Sequence, residues 1–179
     1  MSLKSIRMKL RTIAKIWATK LVCVSSLIFP WCEINMYYGP RCVMSMHNVD
    51  LQIFWLEKLM PIFQFYEKNL FLVFWVMISY FIACVYNEWG TQKIKATKYV
   101  RFNVIQGILL NVFVAAWYQI WVLFPIVLRE SLFGLSIANG MYLFVHGAML
   151  YIVIHVIYGK YALMPIFSEG ARSNIQAFK

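Results

Sequence analysis

The chain has 179 residues, 62% of them hydrophobic and 13% charged, against about 45–50% apolar in soluble domains. A soluble domain of this size has too little interior to bury so much apolar side chain, so the solvent is lipid, and the length fits one compact unit. The net charge is +10, but the basic residues sit at the ends of apolar segments. That arrangement serves membrane orientation and anionic headgroups and argues against a nucleic-acid partner.

Residues 1–20 carry Lys4, Arg7, Lys9, Arg11, Lys15 and Lys20 and no acid. Transit peptides share that composition, but the arm is short for one and no small-residue cleavage site follows it. It reads as a retained basic arm. The first membrane span is expected over about 13–38, with Lys15 and Lys20 snorkelling from its first turns to the headgroups. Pro30 and Glu33 mark its far end, and Tyr37 and Tyr38 form an interfacial pair before a turn at Gly39-Pro40.

Residues 51–67 are too charged to span. On a helical wheel Glu57, Gln64 and Lys68 share a narrow stripe while the rest is largely apolar, which suits a helix lying in the interface. Pro61 is expected to kink or divide it. The second span is expected over about 69–87, near the lower length limit for crossing a bilayer. The third runs over about 100–128, and the very short connection Arg129-Glu130 pairs it as an antiparallel hairpin with the fourth, about 132–158. A polar tail, 159–179, closes the chain. The expected fold is therefore all-α: a four-helix membrane domain over 13–158 plus one interfacial amphipathic helix between the first two spans.

Four spans put both ends on one side. Of the 17 Lys and Arg, the opposite side holds Arg41, Lys58, Lys68 and Arg129; the rest lie in the arm, the second connection and the tail. By the positive-inside rule both termini face the compartment of synthesis. The cysteines Cys23, Cys32, Cys42 and Cys84 form no C-x-x-C pair and no zinc pattern. Cys32 and Cys42 flank one turn and could bridge; otherwise all four are small apolar fillers.

The chemistry is sparse. His146 and His155 are nine residues apart on one span, about 900° of helix, so their rings point to opposite faces and cannot share a metal. A haem would need partner histidines on other spans, and His47 is expected outside the membrane. The predicted spans hold essentially one acid, Glu33, near a membrane edge. G-x-S-x-G and H-E-x-x-H patterns are absent. No enzyme, metal or cofactor is expected. What the spans do carry is amides: Asn103 and Gln106 share a face at the mouth of the third, with Asn111 deeper, Gln119 near its far end and Asn139 in the fourth. Inter-helix hydrogen bonding and the lining of a polar path both remain open for them. Ser136, Gly140 and Gly147 lie on one stripe and are expected to permit close helix packing. Most aromatics read as bilayer and interface anchors, with Trp89 and Trp117 as candidate partner contacts.

The stretch "YVRFNVIQGILLNVF", Tyr99 to Phe113, resembles the signature R-F-N-x-x-Q of the twenty-kilodalton subunit family of the translocon at the inner envelope membrane of chloroplasts, the TIC complex; Arg101, Phe102, Asn103 and Gln106 carry it. "FPWCEINMYYG" resembles the family's pattern at the end of the first span through Pro30, Glu33, Tyr38 and Gly39. "MPIFSEGARSNIQ" resembles its closing pattern through Pro165, Ile166, Ser168 and Glu169, with Gly170 where alanine is usual. The three fall in the right order over about 13–176. The interfacial helix is longer and more aromatic than the family leads one to expect, and the arm lacks the long transit peptide of a nuclear-encoded member.

The resemblance implies a multi-pass protein of the plastid inner envelope, both termini in the stroma, contributing to the channel for preproteins entering the stroma. Its implied partners are other inner-envelope translocon subunits, the outer-envelope translocon, preproteins in transit and membrane lipid, in a hetero-oligomer. Arg101, Phe102, Asn103, Gln106, Asn111 and Asn139 would then contact neighbouring helices or the passing chain. Two other readings stand beside it: a structural assembly subunit that lines no path, and a small-molecule or ion transporter, the latter weakened by the lack of inverted repeats.

Overall fold

A computed structural model describes residues 3–45, 48–85, 98–165 and 167–177, with side chains at 10–45, 48–83, 98–165 and 167–173. His47, Trp89, Ile166, the end of the second expected span and most of the following connection lie outside the described residues, as does the side chain of Cys84.

The chain is an all-α, multi-pass membrane protein, with no strand among the described residues. The first apolar stretch forms α1 (Leu3–Ser25) and α2 (Ile28–Tyr37), broken at Ser26-Leu27. Pro30 explains the break: it has no N–H to donate to the Ser26 carbonyl four residues back, and its ring crowds that oxygen. Together they make a 28-residue candidate span, Leu10–Tyr37. A single non-helical residue, Tyr38, leads to the short α3 (Gly39–Met44), so Gly39-Pro40 opens a helix where a turn is expected.

Asn48 caps α4 (Val49–Phe54), its side chain accepting the Leu51 N–H at 3.1 Å. A π-turn, Trp55–Leu59, then leads into α5 (Met60–Lys68). Pro61 does not divide this helix. The wider π-turn just before it relieves the clash a proline ring makes inside an α-helix. At Asn69 the chain bends by 83° into α6 (Leu70–Val85). Residues 49–68 and α6 together are long and apolar enough to count as one broken span.

α7 (Lys98–Leu123) is a 26-residue candidate span. The stretch expected as one span over 100–128 comes in two pieces, since Pro125 cannot continue the helix. α7 stops at Leu123, and a single turn, α8 (Ile126–Arg129), follows. Ser131 caps α9 (Leu132–Ile157), accepting from the Gly134 N–H at 3.2 Å. α9 ends in a Schellman turn: Gly159 is left-handed (φ 68°), the Lys160 N–H bonds the His155 carbonyl at 2.8 Å, and the Gly159 N–H bonds that of Val156 at 3.0 Å. The tail folds back as α10 (Phe167–Ala177).

α7 is the hub. α1, α2, α6, α9 and α10 all pack on it, and it is buried nearly all round from Phe102 to Gly107. Val104, Leu110 and Val114 of α7 and Val145, Ile152 and Val156 of α9 are fully enclosed and join one core with Ile34 and Tyr38 of the first span. A smaller cluster, Cys32, Val43, Trp55, Phe63 and Tyr66, seats 49–68 on α2 and α3. Cys23, Cys32 and Cys42 are buried free thiols.

Candidate functional site

The three sequence motifs converge on α7. Phe102 is buried against Ala171 of α10 and meets Tyr161 edge-on at 5.1 Å between ring centroids. Asn103, fully enclosed, donates to the Tyr99 carbonyl one turn back at 2.9 Å. Gln106, also fully enclosed, reaches out of its helix: its Nε2 donates to the Ala162 carbonyl at 2.6 Å, clamping the segment after α9 onto the hub. The acceptor oxygens of both amides are buried without a hydrogen-bond partner among the described residues. Arg101 is half-buried at the same end. There Lys20 Nζ donates to the Ile157 carbonyl at 2.5 Å, so the basic ends of the first, third and fourth spans lie together.

The closing motif completes the clamp. Ser168 is buried, and its hydroxyl donates to the Met164 carbonyl at 2.5 Å. Pro165 is exposed, and Glu169 sits exposed in the first turn of α10, where its charge complements the helix N-terminus. A Cβ at Gly170 would meet Leu109 Cδ1 at 3.1 Å, a contact one flexible leucine can relieve.

The first-span motif meets α7 farther along. Pro30 makes the break at Ser26, and Gly107 lies directly over it. A Cβ built at Gly107 would fall 2.9 Å from Ser26 Cβ and 3.1 Å from its carbonyl oxygen. Tyr38 is fully buried, edge-on to Tyr118 at 6.3 Å, and Tyr37 stacks on Tyr118 at 3.7 Å. Gly39 lies under the Trp55 ring, where a Cβ would fall 2.9 Å from Cζ2. Glu33 is only 7% exposed, enclosed because α5 folds over it: Tyr66 Oη donates to Glu33 Oε1 at 3.1 Å.

Asn111 is 5% exposed, faces α6, and donates to the weak acceptor Met77 Sδ at 3.5 Å. Asn139 is half-buried on α9 and Gln119 is exposed. Among the described residues nothing packs on the stripe Gly140 and Gly147: none of their atoms lies within 4 Å of a Cβ built at either, and Ser136 is exposed. The sequence pattern cannot say which face of a uniformly apolar helix turns inward.

A polar cluster between α2 and α9 escaped the motif reading. Asn35 Oδ1 accepts from Tyr142 Oη at 2.9 Å, Asn35 Nδ2 lies 3.4 Å from His146 Nε2, and His146 Nδ1 lies 2.8 Å from the Tyr142 carbonyl. The amide N–H2 and the carbonyl together fix a neutral imidazole carrying its proton on Nδ1. The signal was there in Asn35 and His146, two polar residues in separate spans, but their pairing is a long-range fact. At the far end Arg41 pairs with Glu130 and donates from Nη1 to the Arg129 carbonyl at 3.0 Å, tying α3 to the hairpin.

No protein-family model matches the chain. It is 31% identical over 159 residues to a Tic20 family protein Ycf60 of Porphyra purpurea, covering 89% of this chain and 76% of that protein. It is 32% identical over 119 residues to a Tic20 family protein Ycf60 of Gracilaria tenuistipitata var. liui, covering 66% and 57%. A Tic20 family protein of Synechocystis sp. is 28% identical over 128 residues, covering 70% of this chain and 75% of that one.

Proposed function

Since this chain belongs to the Tic20 family, we propose that it is an integral subunit of the plastid protein-import machinery, seated in the inner envelope membrane with both termini in the stroma. Its role is to contribute, without catalysis, to the path by which preproteins reach the stroma. The observation that carries this reading is the similarity across 89% of the chain. The charge asymmetry supports the orientation, since Lys20, Lys98, Arg101 and Lys160 gather at the end of the bundle that would face the stroma.

The packing refines the reading. Val104, Leu110, Val114, Val145 and Ile152 fill the interior with no exposure, and the motif amides are enclosed among them. A path for a polypeptide therefore runs along the outer surface, between this chain and other translocon subunits, in a hetero-oligomer that also meets the outer-envelope translocon. In that arrangement Asn103 and Gln106 hold the wall in shape. The outer face of α9, with Ser136, Asn139, Gly140 and Gly147, is the face assigned to the path or to a neighbouring subunit.

Affinity purification of a tagged copy from envelope membranes, with a preprotein arrested in transit, tests the reading. Recovery of the precursor together with resident inner-envelope subunits is expected. Recovery of resident subunits without precursor would favour an assembly subunit that lines no path. Recovery of neither would overturn the proposal.

A further inference from the structure

Between α2, α5, α6 and α7 lies a cavity of about 230 Å³ with two unlike walls. One wall is Glu33, Tyr66 and Asn111; the other is Val73, Phe74 and Met77 of α6. Glu33 and Tyr66 are each 7% exposed and Asn111 is 5% exposed. Tyr66 gives its one proton to Glu33 Oε1, and Asn111 directs an N–H at Met77 sulfur. The Tyr37 hydroxyl also neighbours the Glu33 carboxyl, while Glu33 Oε2 and Asn111 Oδ1 have no hydrogen bond of normal geometry among the described residues.

The polar wall thus offers lone pairs on three oxygens, Glu33 Oε2, Asn111 Oδ1 and Tyr66 Oη. Among the described residues, none of the side chains lining the cavity is basic. Buried acceptors left without donors are costly, and a carboxylate removed from water also needs a positive charge. A primary ammonium answers both demands: it carries three N–H donors, no acceptor and one positive charge. The apolar wall, and a volume this small, call for a slender hydrocarbon stem.

We propose that this cavity is a binding site for an alkylammonium group, its nitrogen held by Glu33, Asn111 and Tyr66 and its stem lying along α6. A lysine side chain of another polypeptide, its ammonium on a four-carbon stem, has that chemistry; the amine of a lipid headgroup, two carbons from a phosphate, is the alternative the test separates. The assignment does not depend on the proposed role in import.

The test uses the full chain in detergent micelles with n-butylammonium chloride as the probe. Sodium chloride and n-butanol at the same concentration control for salt and for the apolar stem. The thermal midpoint is expected to rise with n-butylammonium beyond either control, and Glu33→Gln and Asn111→Leu each to remove the difference. Val73→Phe fills the cavity from the apolar wall without touching the acceptors and is expected to remove it as well. No difference in the wild-type protein overturns the proposal, and so does a difference that survives Glu33→Gln, which would show that Glu33 takes no part in binding. Two further arms separate the sources. A lipid ligand predicts that the n-butylammonium shift disappears in phosphatidylethanolamine nanodiscs and persists in phosphatidylcholine ones. A lysine ligand predicts that a lysine-containing peptide reproduces the shift and its acetyl-lysine counterpart does not.

Discussion

Gly107→Ala tests the packing of the hub by a sign. In an isolated helix alanine is better than glycine by about 1 kcal/mol, so on propensity alone the change stabilises. At Gly107 the new methyl would fall 2.9 Å from Ser26 Cβ and 3.1 Å from the Ser26 carbonyl oxygen, as well as against the Ser26 hydroxyl. Ser26 cannot swing clear, because it is fully buried and its hydroxyl donates to the Cys23 carbonyl at 2.8 Å. Overpacking of this kind costs about 1–3 kcal/mol, so the net expectation is a loss of about 1 kcal/mol. For a chain of this length that lowers the thermal midpoint by about 2–4 °C. Gly147→Ala is the control, since a Cβ there meets none of the described residues within 4 Å, and it is expected to leave the midpoint unchanged or raise it. Thermal unfolding of both variants in one detergent, followed by helix content, reads the contrast. Adding Ser26→Gly to Gly107→Ala should recover part of the loss, giving a favourable coupling in a double-mutant cycle. A Gly107→Ala protein as stable as wild type would refute the close crossing of the first span over α7.

Gln106→Leu leaves the Ala162 carbonyl buried without its donor and should cost about 1–3 kcal/mol, seen as a lower midpoint and faster proteolysis of the tail after α9. Asn35→Leu removes the acceptor of Tyr142 and the donor to His146; a loss of about 1–3 kcal/mol is expected, and Tyr142→Phe, which deletes one bond only, should lose less in the same melt. The Arg41–Glu130 side chains are 31% and 62% exposed, so Glu130→Gln should cost under about 1 kcal/mol and less still in high salt. Arg41→Ala should cost more, since it also removes the bond to the Arg129 carbonyl.

The fold class and the family were legible in the chain for different reasons. Composition alone forces the membrane, because no soluble interior of this size absorbs the apolar content. The family rests on particular residues, Arg101, Phe102, Asn103 and Gln106, whose spacing marks the buried start of α7. What escaped is what depends on rotation about a helix axis. α7 and α9 are apolar on every side, so periodicity cannot tell which face turns inward. The stripe of Gly140 and Gly147 therefore looked like a packing seam, although the close crossing uses Gly107, a glycine inside a motif read for its amides. Pro30 did carry a local signal, for a proline breaks the helix around the residue four before it, and that residue, Ser26, sits on Gly107. The enclosure of Glu33 escaped because the fold of α5 over α2 is a tertiary fact.

The central claim is that this chain takes part in preprotein import through its outer surface and not through its filled interior. Site-specific photo-crosslinking in native membranes during arrested import measures that directly, with probes at Ser136, Asn139 and Gly140 on the outer face of α9, at Gln106 in the interior, and at Phe71 on α6 as the lipid-facing control. Adducts to the precursor from the α9 positions, with Gln106 giving only internal adducts and Phe71 none, are the predicted result. Precursor adducts from Gln106, or none from any position, would contradict it.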